Sequence, residues 1–334
     1  MTSNLLTFRE DHREPRDWSR PWRDRPGIVC CCNNPTNKGY SLGGDNGASS
    51  GFVTTCDRIV FSTEIDSVVS GAALSVARSE AVGVVNPSVA GYVAGGKTSA
   101  SPGVLTADKT DLSTETTSAL SGGNLSTGRY ALAGVSERST KAYFAGGFTL
   151  QVTADKLTFS SDTTAAQTTA NLSLARGGVR GLTEGTSKGY YSGGFKGGSP
   201  NDSAVVDKLT FSSDTAAAQA SANLSIARDR CQCFGDGSTK GYFAGGQTGQ
   251  AFGICDKIVF STDTTSSQTS AAVARYGGSE MSDGNVGYCA GGIDLVSLSA
   301  AYTKITFATD TSSSPTVTLS AARFGLAGLS TMGL

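Results

Sequence analysis

Histidine is almost missing from this chain, and that shortage alone removes most enzymatic readings. His12 is the sole histidine among 334 residues. No metal site can therefore be built on two imidazoles, and any Ser-His-Asp or Cys-His mechanism would rest on His12 alone. Charge is scarce as well. Asp, Glu, Lys and Arg make up 16% of the chain and sum to a net −1, which supplies no basic field for nucleic acid. No apolar run approaches the roughly 18 residues of a membrane-spanning helix. Residues 1–26 are polar and Arg-rich where a secretory leader would carry an apolar core.

Eight cysteines are present, but no two stand as Cys-x-x-Cys, so neither structural zinc nor thioredoxin-like redox chemistry is expected. No cofactor or metal is expected at all. Cys30, Cys31 and Cys32 are consecutive, Cys231 and Cys233 alternate, and Cys56, Cys255 and Cys289 stand apart. The expectation is small, buried, reduced thiols in strands.

What the chain has instead is glycine, 43 of them, arranged in a repeat. An aromatic run closed by Gly-Gly recurs six times. Its tyrosines are Tyr40, Tyr92, Tyr143, Tyr190, Tyr242 and Tyr288. Its doublets are Gly43-Gly44, Gly95-Gly96, Gly146-Gly147, Gly193-Gly194, Gly245-Gly246 and Gly291-Gly292. After each doublet come a variable loop and an alternating strand such as Asp155-Lys156-Leu157-Thr158-Phe159 or Asp207-Lys208-Leu209-Thr210-Phe211. A Ser/Thr/Asp turn and a polar strand follow, ending in Leu-Ser-x-Ala-Arg or a variant. The closing arginines are Arg78, Arg129, Arg176, Arg228, Arg275 and Arg323. The second unit departs with Asp108-Lys109-Thr110-Asp111-Leu112, and the last has Thr303 in place of Asp.

Each period reads as four short strands: a small-residue run after the Arg such as Gly177 to Thr183, the Tyr run, the Lys-Leu-Thr-Phe strand, and the Thr/Ala strand before the next Arg. Propensity alone would allow a helix over Thr164 to Arg176, but its equivalent placement in every period favours a strand. Four antiparallel strands cannot bury both faces of their own sheet. Stacking such sheets radially solves the problem, which predicts an all-β propeller.

The period of roughly 50 residues and the order Arg, small residues, aromatic-x-x-Gly-Gly, loop, strand, strand resemble the kelch repeat over residues 28–323. The Trp that usually marks the fourth kelch strand is absent from all six units. The predicted architecture is a kelch-like propeller over 28–334, with repeats near 28–78, 79–129, 130–176, 177–228, 229–275 and 276–323. Six blades are favoured, with Ile28 to Cys32 as the inner strand of the first. A ring of seven, closed by a terminal clasp of the C-terminal Phe324 to Leu329 run with Leu5 to Phe8, is the alternative. The recurrent Tyr, Gly and Arg residues read as scaffold, each Arg bonding to carbonyls or to the repeated carboxylate at a blade junction.

Residues 1–27 read as a separate arm. Its first 26 residues hold both tryptophans, six arginines and three prolines, and proline bars that stretch from a central strand. Arg16, Trp18, Arg20, Trp22 and Arg23 are the candidate docking residues, since Trp and Arg dominate interface energetics.

An enzyme would need groups the repeats lack. The copper site of galactose oxidase, a kelch propeller, uses histidines and tyrosines, and no sialidase-like Asp-box is present. Arg230, Asp236 and Glu184 could line a pocket, though nothing in the pattern marks them. The units Gly-Tyr-Phe-Ala-Gly-Gly and Asp-Lys-Leu-Thr-Phe-Ser-Ser-Asp-Thr are similar to repeats of bacteriophage tail-fibre and other virion proteins, cyanophages among them. That resemblance implies a non-enzymatic virion component (fibre, neck, baseplate or capsid-decorating) present in several copies. It would be joined to other virion proteins through the arm and would contact a host-surface glycan or protein. A bacterial protein- or glycan-binding module, in the cytoplasm or at the cell surface, is the alternative.

Overall fold

The computed structural model describes residues 37–331 apart from 49–50, 88, 99–102, 250, 252, 272 and 296. Among these residues no α-helix forms. The segment Thr164 to Arg176 is part strand, Thr163–Ala166, and part 3-10 turn, Thr168–Ala170, which seats Ala170 and Leu172 in the core.

The described residues form seven antiparallel sheets, six of four strands and one of three. The fourth four-stranded sheet shows the plan. Arg180–Thr183 is innermost, followed outward by Lys188–Ser192, Val206–Thr210 and Thr215–Ala218. Val206 and Leu209 are buried while Lys208 and Thr210 are partly open, so the third strand alternates as its sequence does. The outermost strand is short, with exposed Thr and Ala, which blunts an otherwise free edge. Asn223 accepts a hydrogen bond from the Val206 N–H at 3.0 Å, as Asn171 does from Ala154 at 2.9 Å. Asn124 does the same for Ala107, and in these three units the contact fixes the turn leading to the recurrent Arg.

The first sheet is shared between the two ends of the described chain. Ala327–Ser330 is its innermost strand, paired with Lys38–Leu42 in the register Tyr40↔Leu329 and Ser41↔Gly328. A terminal clasp therefore exists, and its position corrects the sequence reading. The place expected for Ile28 to Cys32 is held by Ala327–Ser330, while residues 28–32, like Leu5 to Phe8, lie outside the described residues. The seventh sheet is a ribbon of Arg275–Tyr276, Ile293–Asp294 and Ser297–Leu298 within the last unit.

Three closed circuits tie the six four-stranded sheets together. One hydrophobic cluster fills each junction between neighbours, six in all. Around the axis the backbone closes on itself. The N–H of Glu80 donates to Gly325 O at 2.6 Å, Ala131 to Glu80 at 2.8 Å, and Gly178 to Ala131 at 2.8 Å. Arg230 then donates to Gly178 at 2.8 Å, Gly277 to Arg230 at 3.3 Å, and Gly325 to Gly277 at 2.7 Å. The third circuit is made of tyrosines and carboxylates, described below.

The inner strands approach very closely. A Cβ at Gly181 would lie 1.9 Å from Gly134 O, and one at Gly83 would lie 2.1 Å from Gly328 O. Only glycine permits that spacing. Among these strands lies a cavity of about 20 Å³ bordered by Gly83, Gly134, Gly181, Gly328, Arg180 and Glu280.

Candidate functional site

The recurrent polar residues are consumed by the junctions. Arg176 is fully buried, pairs with Asp207 of the next sheet, and donates to Gly193 O and Val205 O at 2.6 Å each. Arg78 does the same with Asp108 (2.8 Å) and Arg228 with Asp256 (2.9 Å); Arg129 meets Asp155, and Arg323 meets Asp57. The Asp207 carboxylate also accepts the Ser173 backbone N–H at 3.3 Å. The Ser of Leu-Ser-x-Ala-Arg thus sits beside the same acid as its Arg.

Arg275 differs. Thr303 stands where the acid would be, and Arg275 donates to the carbonyls of Ala301 (2.5 Å) and Gly291 (3.3 Å). Thr303→Asp should supply the missing acceptor to a cation that is already buried. We expect a gain of about 1–2 kcal/mol, read as a melting temperature a few degrees higher. An unchanged or lower value would contradict this account of the junction.

Each repeat Tyr reaches into the next sheet. Tyr190 stacks on Phe260 with ring centroids 5.8 Å apart and donates to Asp263 at 2.5 Å. Lys188 (2.7 Å) and Lys208 (2.8 Å) bind the same carboxylate. Equivalent links join Tyr40 to Glu115, Tyr92 to Asp162, Tyr143 to Asp214, Tyr242 to Asp310 and Tyr288 to Glu64, which completes the circuit. Tyr40 meets Leu112 where the others meet Phe. Burial would raise the Asp263 carboxyl, but hydrogen bonds from Lys188, Lys208 and Tyr190 outweigh it and hold it at about 2. Burial, then the bonded acids, push the six phenols far above their ordinary range. These tyrosines are not poised as nucleophiles.

The paired glycines all hold positive φ and turn the chain out of the second strand. The residue after each doublet then pairs with the residue after a recurrent Arg. These pairs are Asp45 with Phe324, Lys97 with Ser79, Phe148 with Tyr130, Phe195 with Gly177, Gln247 with Asp229, and Ile293 with Tyr276. They surround one mouth of the ring, next to the backbone circuit, and they differ from unit to unit.

At this mouth Arg230 is the hub. It forms ion pairs with Glu80 (2.7 Å) and Asp229 (2.8 Å), and its guanidinium lies 5.4 Å from the Phe148 ring and 5.8 Å from the Phe324 ring. Lys97 joins Glu80 at 3.1 Å. Burial opposes ionisation of Glu80, yet Arg230 and Lys97 hold its carboxyl below the usual range. Glu80 and Arg230 adopt φ of 54° and 50° at a position where Gly178, Gly277 and Gly325 stand in three other units. Side chains placed there are strained, and here they join the second and fifth sheets across the axis.

Beside Arg230 opens a cleft of about 340 Å³, walled by Phe148, Phe195, Asp202, Asp229, Arg230 and Gln247. Phe148 and Phe195 are half-buried and tilted against each other at 5.7 Å. Asp229 is 3% exposed and gives one oxygen to Arg230. Burial pushes its carboxyl up to about 6, with Asp202 and Glu80 adding to the rise and Arg230 and a hydrogen bond from Gln247 opposing it. A second cleft, of about 460 Å³, is bordered by Lys141, Lys188 and Lys208, whose ammonium groups are already bound to Asp214 and Asp263.

The other sequence candidates lie elsewhere. Glu184 and Asp236 cap turns at the opposite ends of the inner strands. Glu184 accepts from Ser187, and Asp236 from the N–H groups of Ser238, Thr239 and Lys240. Among the described residues five cysteines, Cys56, Cys231, Cys233, Cys255 and Cys289, are free and buried. Arg16, Trp18, Arg20, Trp22 and Arg23, with Cys30 to Cys32, lie outside the described residues.

The sequence matches no known protein-family model and no curated protein. Its fold does have solved counterparts. The structure titled "Structure of YjhT" superposes with a TM-score of 0.63 at 14% identity, covering 82% of this chain and 96% of that one. The fold is a β-propeller. At that identity the likeness shows the propeller alone, an architecture that hosts enzymes and non-enzymes alike.

The propeller's mouth residues were hard to find in the sequence because each occurs once. The one available signal was their place directly after a Gly-Gly or a recurrent Arg.

Proposed function

We propose that this propeller is a non-catalytic structural and binding protein. Its loop-bearing mouth is the recognition face and its N-terminal segment the anchor. The division between recurrent and variable residues carries this reading. Recurrent Arg, Tyr, Lys and Asp side chains are bonded into the junctions, whereas the varied residues after each Gly-Gly gather around one mouth. Varied residues on a regular scaffold are where recognition usually lies.

The kelch-like order of the repeat and its likeness to phage virion repeats support a place in a bacteriophage particle, in several copies. Both tryptophans and six arginines are confined to the first 26 residues, outside the repeats, and Arg16, Trp18, Arg20, Trp22 and Arg23 are the attachment residues in this reading.

The test is mass spectrometry of density-purified phage particles from cells that express either the tagged full chain or a chain lacking residues 1–26. The full chain should be present in particles. The shortened chain should fold and be absent from them. A full chain absent from particles would overturn the virion placement, and a shortened chain that still incorporates would overturn the anchoring role.

A further inference from the structure

We infer that the cleft beside Arg230 is a binding site for a neutral saccharide. This deepens the reading of the loop-bearing mouth as a recognition face and rests on it.

The chemistry of the walls selects the ligand class. A pyranose presents flat patches of C–H groups ringed by hydroxyls that both donate and accept. Phe195 offers half-buried ring surface for the C–H patches, while Phe148 is packed among Tyr130, Phe195 and Arg230. Asp202 is an acceptor, Gln247 is both donor and acceptor, and Arg230 is a donor, all bordering the same space. Mixed acceptors and donors beside aromatic surface suit a ring that carries both C–H patches and hydroxyls.

The wall behind the rim is fixed from within. Arg230 holds one oxygen of Asp229 at 2.8 Å and is itself held by Glu80. The cleft is therefore shaped before any ligand arrives.

Charge sets the preference for a neutral sugar. Arg230 is already neutralised by Glu80 and Asp229, and Lys97 by Glu80. Asp202 then leaves the rim with carboxylate in excess, which repels an acidic sugar. The cleft volume of about 340 Å³ lies within the range of small-molecule sites and fits one or two sugar rings.

Saturation-transfer NMR on the full chain tests this, using glucose, galactose, mannose and N-acetylglucosamine as neutral probes and N-acetylneuraminic acid as the acidic one. At least one neutral probe should bind saturably, and the acidic probe should not. Phe195→Ala and Asp202→Asn should each weaken binding by about tenfold or more while the melting temperature stays within a degree or two. The proposal is overturned if no neutral probe binds at millimolar concentration, if the acidic sugar binds more tightly, or if neither substitution weakens binding. Chemical change in a bound sugar would uphold the ligand class and refute the non-catalytic reading. Particle incorporation without sugar binding would refute this proposal alone.

Discussion

A chain ended at Leu326 is expected to lose cooperative folding altogether. Ala327–Ser330 is the innermost strand of a sheet whose other three strands lie near the opposite end of the described chain. Without it, Lys38–Leu42 loses its pairing partner, and Tyr40 loses the neighbouring Leu329, which is fully buried. Removing one buried Leu costs about 2–5 kcal/mol, and the exposed ladder groups add to that. The sum approaches the 5–15 kcal/mol that a whole domain holds in reserve. The loss is not confined to one sheet. Gly328 is packed against the Glu280 backbone on one side and Gly83 on the other, so both neighbouring junctions open. Circular dichroism and gel filtration should show an expanded, non-cooperatively melting chain. A truncated protein that melts sharply near the full-length temperature would refute the clasp.

Asp207→Ala is the second large effect expected. Arg176 and Asp207 are both fully buried, and removing the acid leaves the guanidinium charged in a site closed to solvent. Breaking a buried pair in this way costs about 3–5 kcal/mol, which urea denaturation would read as a lower midpoint at an unchanged slope. Arg176→Met combined with Asp207→Leu should recover much of the loss, because the desolvation penalty disappears along with the attraction. A single substitution costing under about 1 kcal/mol, within the range of surface ion pairs, would mean that the junction does not depend on this pair. Carbonyl partners are common to both kinds of junction, since Arg176 has two and Arg275 has two. Comparing Asp207→Ala with Thr303→Asp therefore isolates the carboxylate.

The periodic residues explain how much of this molecule could be read in advance. Arg176 and Asp207 are 31 residues apart, yet each recurs at its own place in the unit, so a junction role could be inferred for both. The turn acids Glu64, Glu115, Asp162, Asp214, Asp263 and Asp310 recur just as regularly. They still escaped assignment, because nothing local indicates that Tyr190 will reach Asp263 across 73 positions. Their φ values of 51–55° are a local property, and Asp tolerates that region better than most residues.

The sequence by itself determined the repeating unit, its four-strand plan, and which side chains would be tied up as scaffold. Periodicity carries that information, because each unit must bury the same faces against the same kind of neighbour. Only the tertiary structure decided how the ring closes and where the cleft lies. Closure depends on which terminal segment reaches the first sheet, and Ala327–Ser330 resembles every other inner strand. The cleft is built from residues at variable places of the unit, on four separate stretches of chain. Phe148, Phe195 and Gln247 each follow a Gly-Gly and Asp229 follows a recurrent Arg, but the residue type at those places varies from unit to unit, and the radial stacking of the sheets alone brings these four around one opening.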